Sequence, residues 1–236
     1  MFPRRHSNLP HLCLLFLALF LATSARAQQT VFDVPSADVL NKGQVYVEQD
    51  GTVHFQALSA ATFTPRLVVG IGDQIEVGLN FQGLSAPVLG GLVLSPAFKW
   101  RLWKTQDSGW TFFVGDNPWF PVTQRTYNVG NYSYATRAKQ FKHGTRISAG
   151  AYDFTKNVVA PANRAGGQFT FEQAVTPRLT LAAEWYTGNT ATGYLNPGII
   201  FKLTPKLTGY AAYQIGNAGL TRGNHQFLWE IGYNFN

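Results

Sequence analysis

The last ten residues constrain the fold more than any other stretch. Phe227, Trp229, Ile231, Tyr233 and Phe235 share one parity, and Leu228, Glu230, Gly232, Asn234 and Asn236 share the other. A β-strand sends successive side chains to opposite faces, so this segment makes a ribbon with one aromatic face and one mainly polar face. Other stretches repeat the pattern. Ile75, Val77, Leu79 and Phe81 alternate with Gln74, Glu76, Gly78, Asn80 and Gln82; Leu92, Leu94, Phe98, Trp100 and Leu102 alternate with Ser95, Lys99 and Arg101. Leu179, Leu181 and Trp185 alternate with Thr180 and Glu184, and Leu195, Ile199, Phe201 and Leu203 with Tyr194, Asn196 and Lys202.

A soluble β-sandwich also alternates, with its apolar face turned inward. Two features favour a barrel in lipid. The apolar face carries Trp100, Trp185, Trp229 and Tyr233, the residue types that form an aromatic girdle where a barrel meets headgroups. The polar face carries full charges mixed with glycines, which suits a crowded, wet lumen. The expected fold is therefore all-β: a closed antiparallel up-and-down transmembrane β-barrel.

Turn chemistry sets the strand count. Ile71-Gly72-Asp73-Gln74-Ile75, Val175-Thr176-Pro177-Arg178-Leu179 and Leu203-Thr204-Pro205-Lys206-Leu207 each join two alternating runs, with proline or Gly-Asp presetting a tight turn. Looser turns fit at Lys104 to Gly109 and Gln140 to Gly144. A transmembrane strand needs roughly 9–11 residues, so two strands and an outer loop fill each interval between turns. The spacing predicts about twelve strands, near 43–56, 60–71, 74–83, 91–103, 110–118, 126–137, 144–154, 166–175, 179–188, 193–203, 207–216 and 225–235. About ten or fourteen are the alternatives, because Asn117 to Arg125 holds two prolines and Asp50-Gly51 could itself turn. Short turns and both termini are expected at the periplasmic end. A barrel of about eight strands fills with its own side chains and one of about sixteen holds an aqueous channel, so twelve lies between.

On this map Glu48, Glu76, Lys99, Arg101, Arg146, Glu172, Glu184, Lys202 and Glu230 point inward near the short-turn end, as a belt of mixed sign. Unpaired charge in a narrow lumen is costly, so pairing is expected: Glu76 with Lys99 or Arg101, Arg146 with Glu172, Glu184 with Lys202. Such a belt either locks the barrel or selects solutes by charge and size. Tyr132, Tyr134, Tyr152, Tyr186 and Tyr210 are expected to line a neutral outer half. The loop from Lys156 to Gly167 is the longest between clear strands and is expected in solvent.

The N-terminus reads as a signal. Arg4, Arg5 and His6 precede an apolar run from Leu12 to Ala22, and Ala25-Arg26-Ala27 supplies small residues for cleavage after Ala27. Three regions follow: a cleaved signal at 1–27, an N-terminal periplasmic segment at 28–42, and the barrel at 43–236. Cys13 leaves with the signal, so the mature chain carries no thiol, as suits an oxidising compartment. Without Arg4, Arg5 and Arg26 there remain 16 basic residues against 12 acidic ones, with no clustered basic stretch that would indicate nucleic acid.

Nothing requires a cofactor or metal. His54, His143 and His225 lie on separate elements; His54 and His225 come near one another across the closing seam, but no serine or third ligand is fixed beside them. An enzyme is therefore not expected. Given the Ile71 to Gly78 turn, Lys99 after Pro96 and the barrel-ending Phe227 to Phe235 segment, the chain resembles a broad group of transporter-like Gram-negative outer-membrane barrels associated with phenol and aromatic-compound degradation. The resemblance implies passive passage of small solutes, aromatic ones included. Its implied partners are outer-membrane lipid and the barrel-assembly machinery, which would read Phe227, Trp229, Ile231, Tyr233 and Phe235. The alternative is a structural or adhesion-type barrel whose lumen is plugged by salt bridges.

Overall fold

The computed structural model describes residues 29–55, 60–86, 91–123, 129–155 and 163–235. The expected signal at 1–27, most of the loop after Lys156 and the terminal Asn236 lie outside the described residues. The strands are β1 Val45–His54, β2 Ala61–Gly70, β3 Ile75–Gln82, β4 Leu84–Ala86, β5 Val93–Lys104, β6 Trp110–Pro121 and β7 Gly130–Gln140. They continue as β8 Thr145–Phe154, β9 Ala165–Ala174, β10 Leu179–Tyr186, β11 Tyr194–Lys202, β12 Leu207–Gly216 and β13 His225–Asn234. Successive strands pair antiparallel, except that β4 pairs with β2 and β5 with β3, and β1 pairs with β13, so the sheet closes.

β3 and β4 are two pieces of one barrel strand, because both pair with β2. Gly83 separates them at φ +80°, a left-handed conformation that glycine adopts at little cost, and the pairing slips there by one residue. The barrel therefore has twelve strands, as the turn spacing predicts. The short turns fall at 71–74, 105–109, 141–144, 175–178 and 203–206, at the end that also holds Val45 and Asn234. We call this the turn end and the opposite rim the loop end. The proline-bearing stretch after Asn117 does not break β6, which runs to Pro121. Its ladder with β5 registers Leu94 with Phe120 and Phe98 with Asp116, with Pro96 and Pro118 between them, where neither can donate.

Closure puts one parity outside and the other inside. Leu67, Trp100, Phe169, Phe171, Leu181, Ile199, Phe201, Phe227 and Ile231 are exposed on the outer face, while Glu48, Glu76, Lys99, Arg146, Gln168, Glu172, Glu184 and Glu230 are buried within. Water would penalise this surface and hydrocarbon would not, so the exterior is built for lipid.

The largest departure from expectation concerns residues 29–40. The sequence places an N-terminal periplasmic segment at 28–42. Instead the chain turns inward at the turn end and folds up inside the barrel. Val31, Phe32 and Val34 are completely buried there. A tight loop forms where Val31 N–H donates to Val34 O (2.8 Å) and Ser36 N–H to Gln29 O (3.0 Å). We call this element the strap.

Candidate functional site

Lumen-facing groups from most of the barrel converge on the strap. Glu184, on β10, accepts three consecutive backbone N–H groups, from Phe32 (3.0 Å), Asp33 (2.8 Å) and Val34 (2.8 Å). Successive amides turned toward one anion form a nest, with the chain supplying the donors and the barrel the charge. Asn196 donates to the same carboxylate at 2.7 Å. Gln214 and Asn196 donate to Asp33 Oδ2 at 2.9 and 3.3 Å, and the Tyr186 hydroxyl donates to Asp33 O at 3.3 Å.

Apolar contacts complete the seat. Val31 and Phe32 pack with Ala182, Ile200, Tyr210, Ala212 and Leu228. Gly198 makes room for Phe32, since a Cβ there would stand 2.7 Å from the Phe32 ring. Val34 packs with Phe113, Tyr132, Tyr134, Tyr152, Phe154 and Tyr186. The strap is thus the centre of the lumen's core, and Ile200 and Leu228, apolar residues on the polar parity, were its sequence signal.

The expected charge belt forms in part. Glu76 and Lys99 pair at 2.7 Å, and Arg146 holds Glu172 at 2.7 Å, as predicted. Both pairs also bind the strap. Lys99 donates to Gln29 O and Ser36 O, Glu76 accepts from Leu40 N–H at 2.8 Å, and Arg146 reaches Asp38 at 2.9 Å. Arg101 does not join Glu76; it donates to the carbonyl of Asp73 in the exposed turn.

The expected Glu184–Lys202 pair does not form. Glu184 registers with Asn196, and Lys202 lies six positions further along β11, opposite Thr208, about 20 Å away at the strand rise. Glu184 sits in the body of the barrel, where the strap's amides take the role assigned to lysine.

Glu48 and Glu230 meet Asp50 in a buried group whose carboxylate oxygens lie within 4.8 Å of one another. Among the described residues it is the arrangement that could offer three ligands to one ion. Arg66 already supplies a cation there, 2.5 Å from Asp50 and 3.6 Å from Glu48, and donates to Thr30 at 3.1 Å. Sequence reading missed Arg66 and Asp50, although both share the inward parity of their strands.

Above the strap, the lumen keeps a cavity of about 350 Å³ that continues to the loop end. Its floor includes Gln29, Thr30, Asp33 and Pro35. One wall is polar, with Thr62, Thr64, Asn80 and Gln82; the other is aromatic, with Trp119, Tyr132, Tyr134, Phe154 and Tyr186. Tyr132 stacks on Phe154 (centroids 4.8 Å apart) and shares a 2.7 Å hydrogen bond with Tyr186. Three of the five expected tyrosines line the cavity, and Tyr152 packs against Tyr132 and Tyr186 without lining it. Tyr210 does neither: it lies toward the turn end, 3.4 Å from the hydroxyl of Tyr46, which in turn donates to Glu48.

All four girdle candidates face outward, at different heights. Trp100 and Tyr233 stand toward the turn end and Trp185 at the loop end, where it donates to Asn217. Trp229 is mid-strand, registered with Gly51 and lying over it, so its ring belongs to the hydrocarbon band. His54 and His225 do not converge. His54 registers with the inward Gln226, whereas His225 faces out and bonds Tyr213 at 3.1 Å.

In sequence, the chain matches no family model and no curated protein. In structure it is similar to the KdgM porin in complex with disordered oligogalacturonate, with a TM-score of 0.60 at 6% identity over 81% of this chain and 99% of that one. The NanC porin gives 0.60 at 9% identity over 79% and 98%. The outer membrane protein Omp33 of Acinetobacter baumannii gives 0.51 at 10% identity over 82% and 99%. Identities this low speak for the fold alone. With its closed sheet, its lipid-facing rings and these neighbours, the chain is an outer-membrane β-barrel of porin-like fold.

Proposed function

We propose that the protein is an outer-membrane channel for small solutes whose path is closed by its own N-terminal strap. The observation that carries this reading is the lumen's division into two parts: a cavity that reaches the loop end, and a floor where the strap residues Gln29, Thr30, Asp33 and Pro35 sit beside Arg66, Glu76 and Lys99 of the barrel. Among the described residues the strap is covalently continuous with the barrel through Asn41 to Gln44 and forms no barrel strand, so it can leave the lumen without unmaking one. The aromatic wall suits solutes with an apolar face, consistent with small aromatic compounds. Acidic oligosaccharides of the kind seen with KdgM fit less well, because Arg66, Lys99 and Arg146 are all committed to carboxylates.

The test is a variant whose mature chain lacks residues 28–40, compared with the intact protein in planar bilayers and in liposome swelling with sugars and aromatic acids. The expected result is a small or rare conductance for the intact barrel and a larger, steady one without the strap. Equal conductance would remove the strap's role as closure. A folded variant that still passes nothing would favour a purely structural barrel.

A further inference from the structure

The outer surface carries charge where lipid should meet it. Among the described residues, Arg137 and Lys139 are the basic residues that stand within a strand on the outward face. Both belong to β7, near its turn end, on the parity opposite the buried Tyr132, Tyr134, Thr136 and Ala138. The other described basic residues of the strands point into the lumen or lie at strand ends, and the remaining described ones occupy turns and loops. A cation on the lipid face of a barrel is costly at mid-depth and tolerated near the headgroups, so two adjacent ones call for an explanation.

Their surroundings supply it. Lys139 registers with Trp110 and Arg137 with Phe112 across the β6–β7 ladder. The Arg137 guanidinium lies 3.9 Å over the Trp110 ring, and the Lys139 ammonium is 4.9 Å from the same ring and 5.7 Å from that of Phe141. Stacking holds the Arg137 fork flat against the barrel and leaves its N–H edge free. Lys139 donates one hydrogen bond to Ser108 O in the neighbouring turn and has further donors to offer. Neither cation forms an ion pair with a described carboxylate, Asp107 of that turn included. Trp103, Phe141 and Ile147 extend the patch as exposed apolar side chains. The result is two cations, an aromatic shelf and apolar flanks at the depth of the inner-leaflet headgroups.

We propose that this patch is a binding site for one anionic phospholipid of the periplasmic leaflet. The phosphodiester is clamped between Arg137 and Lys139, and the acyl chains run along the apolar flank. Planar guanidinium and phosphate groups pair through two parallel hydrogen bonds, and such pairs strengthen outside bulk water. The site does not depend on whether the lumen conducts.

Native mass spectrometry of the full mature protein in neutral detergent tests the assignment, with phosphatidylglycerol and phosphatidylcholine of identical chains. Expected are preferential retention of one phosphatidylglycerol and loss of that preference as salt is raised. Each cation near an anionic surface is worth about 1 kcal/mol, so the R137Q/K139Q double variant should weaken phosphatidylglycerol binding roughly thirtyfold. A K142Q/K206Q control removes equal charge from turns at the same rim and should change it less than about threefold. Equal retention of the two lipids, salt-independent binding, or equal losses in the two double variants would each overturn the site.

Discussion

Replacing Glu184 with alanine should free the strap while leaving the barrel closed. The carboxylate is almost fully buried and accepts three strap amides and the Asn196 amide. A hydrogen bond to a charged group contributes about 1.5–3 kcal/mol, so the three strap contacts alone set an upper range of about 4–9 kcal/mol. The true figure is lower. Docking the strap displaces water from the carboxylate, which offsets part of the gain, and in the variant water can enter the space left by the side chain. Removing one partner of a buried charged arrangement costs about 3–5 kcal/mol, and the low end, about 3 kcal/mol, applies here. That corresponds to roughly a hundredfold larger population of the strap-out state. Glutamine retains one acceptor oxygen and should give roughly tenfold. Hydrogen exchange of the Phe32, Asp33 and Val34 amides, read by mass spectrometry on the folded barrel, measures this population directly. If the E184A barrel stays closed and those amides exchange as slowly as in the parent, Glu184 does not hold the strap and the reasoning fails.

Two further outcomes follow from the same contacts. Lys99→Ala strands Glu76 and two strap carbonyls and should destabilise the barrel by about 3 kcal/mol, whereas Arg101→Ala removes one exposed contact and should cost under about 1 kcal/mol; thermal unfolding in detergent separates them. Phe32→Ala empties the pocket over Gly198 and should loosen the strap by about 3–5 kcal/mol, seen as faster exchange over residues 29–40 with β-sheet content unchanged by circular dichroism.

The barrel was legible because its signals are local. Parity repeats every two residues, and each Gly-Asp or Thr-Pro turn marks a reversal within a few positions, so twelve strands emerge with ends displaced by only a few residues. Gly83 was the exception: a single left-handed residue splits a strand without disturbing the alternation around it. Within the lumen, pairs formed by adjacent strands, Glu76 with Lys99 and Arg146 with Glu172, followed from register. Glu184 did not, because a strand-neighbour argument searches for a lysine and its partner is backbone, which carries no sequence signature. The strap itself is too short for a periodic pattern. Its place shows only in the residues that receive it: Ile200 and Leu228 on the polar parity, and Gly198 where a side chain would obstruct Phe32.

The strap also ties membrane insertion to order in time. Phe32 reaches a carboxylate 152 positions further along the chain, and it is tethered to β1, one of the two strands that form the seam. Its seat therefore exists only once the later strands are in place. The segment is made before the strands it rests on, yet it settles only after they have formed.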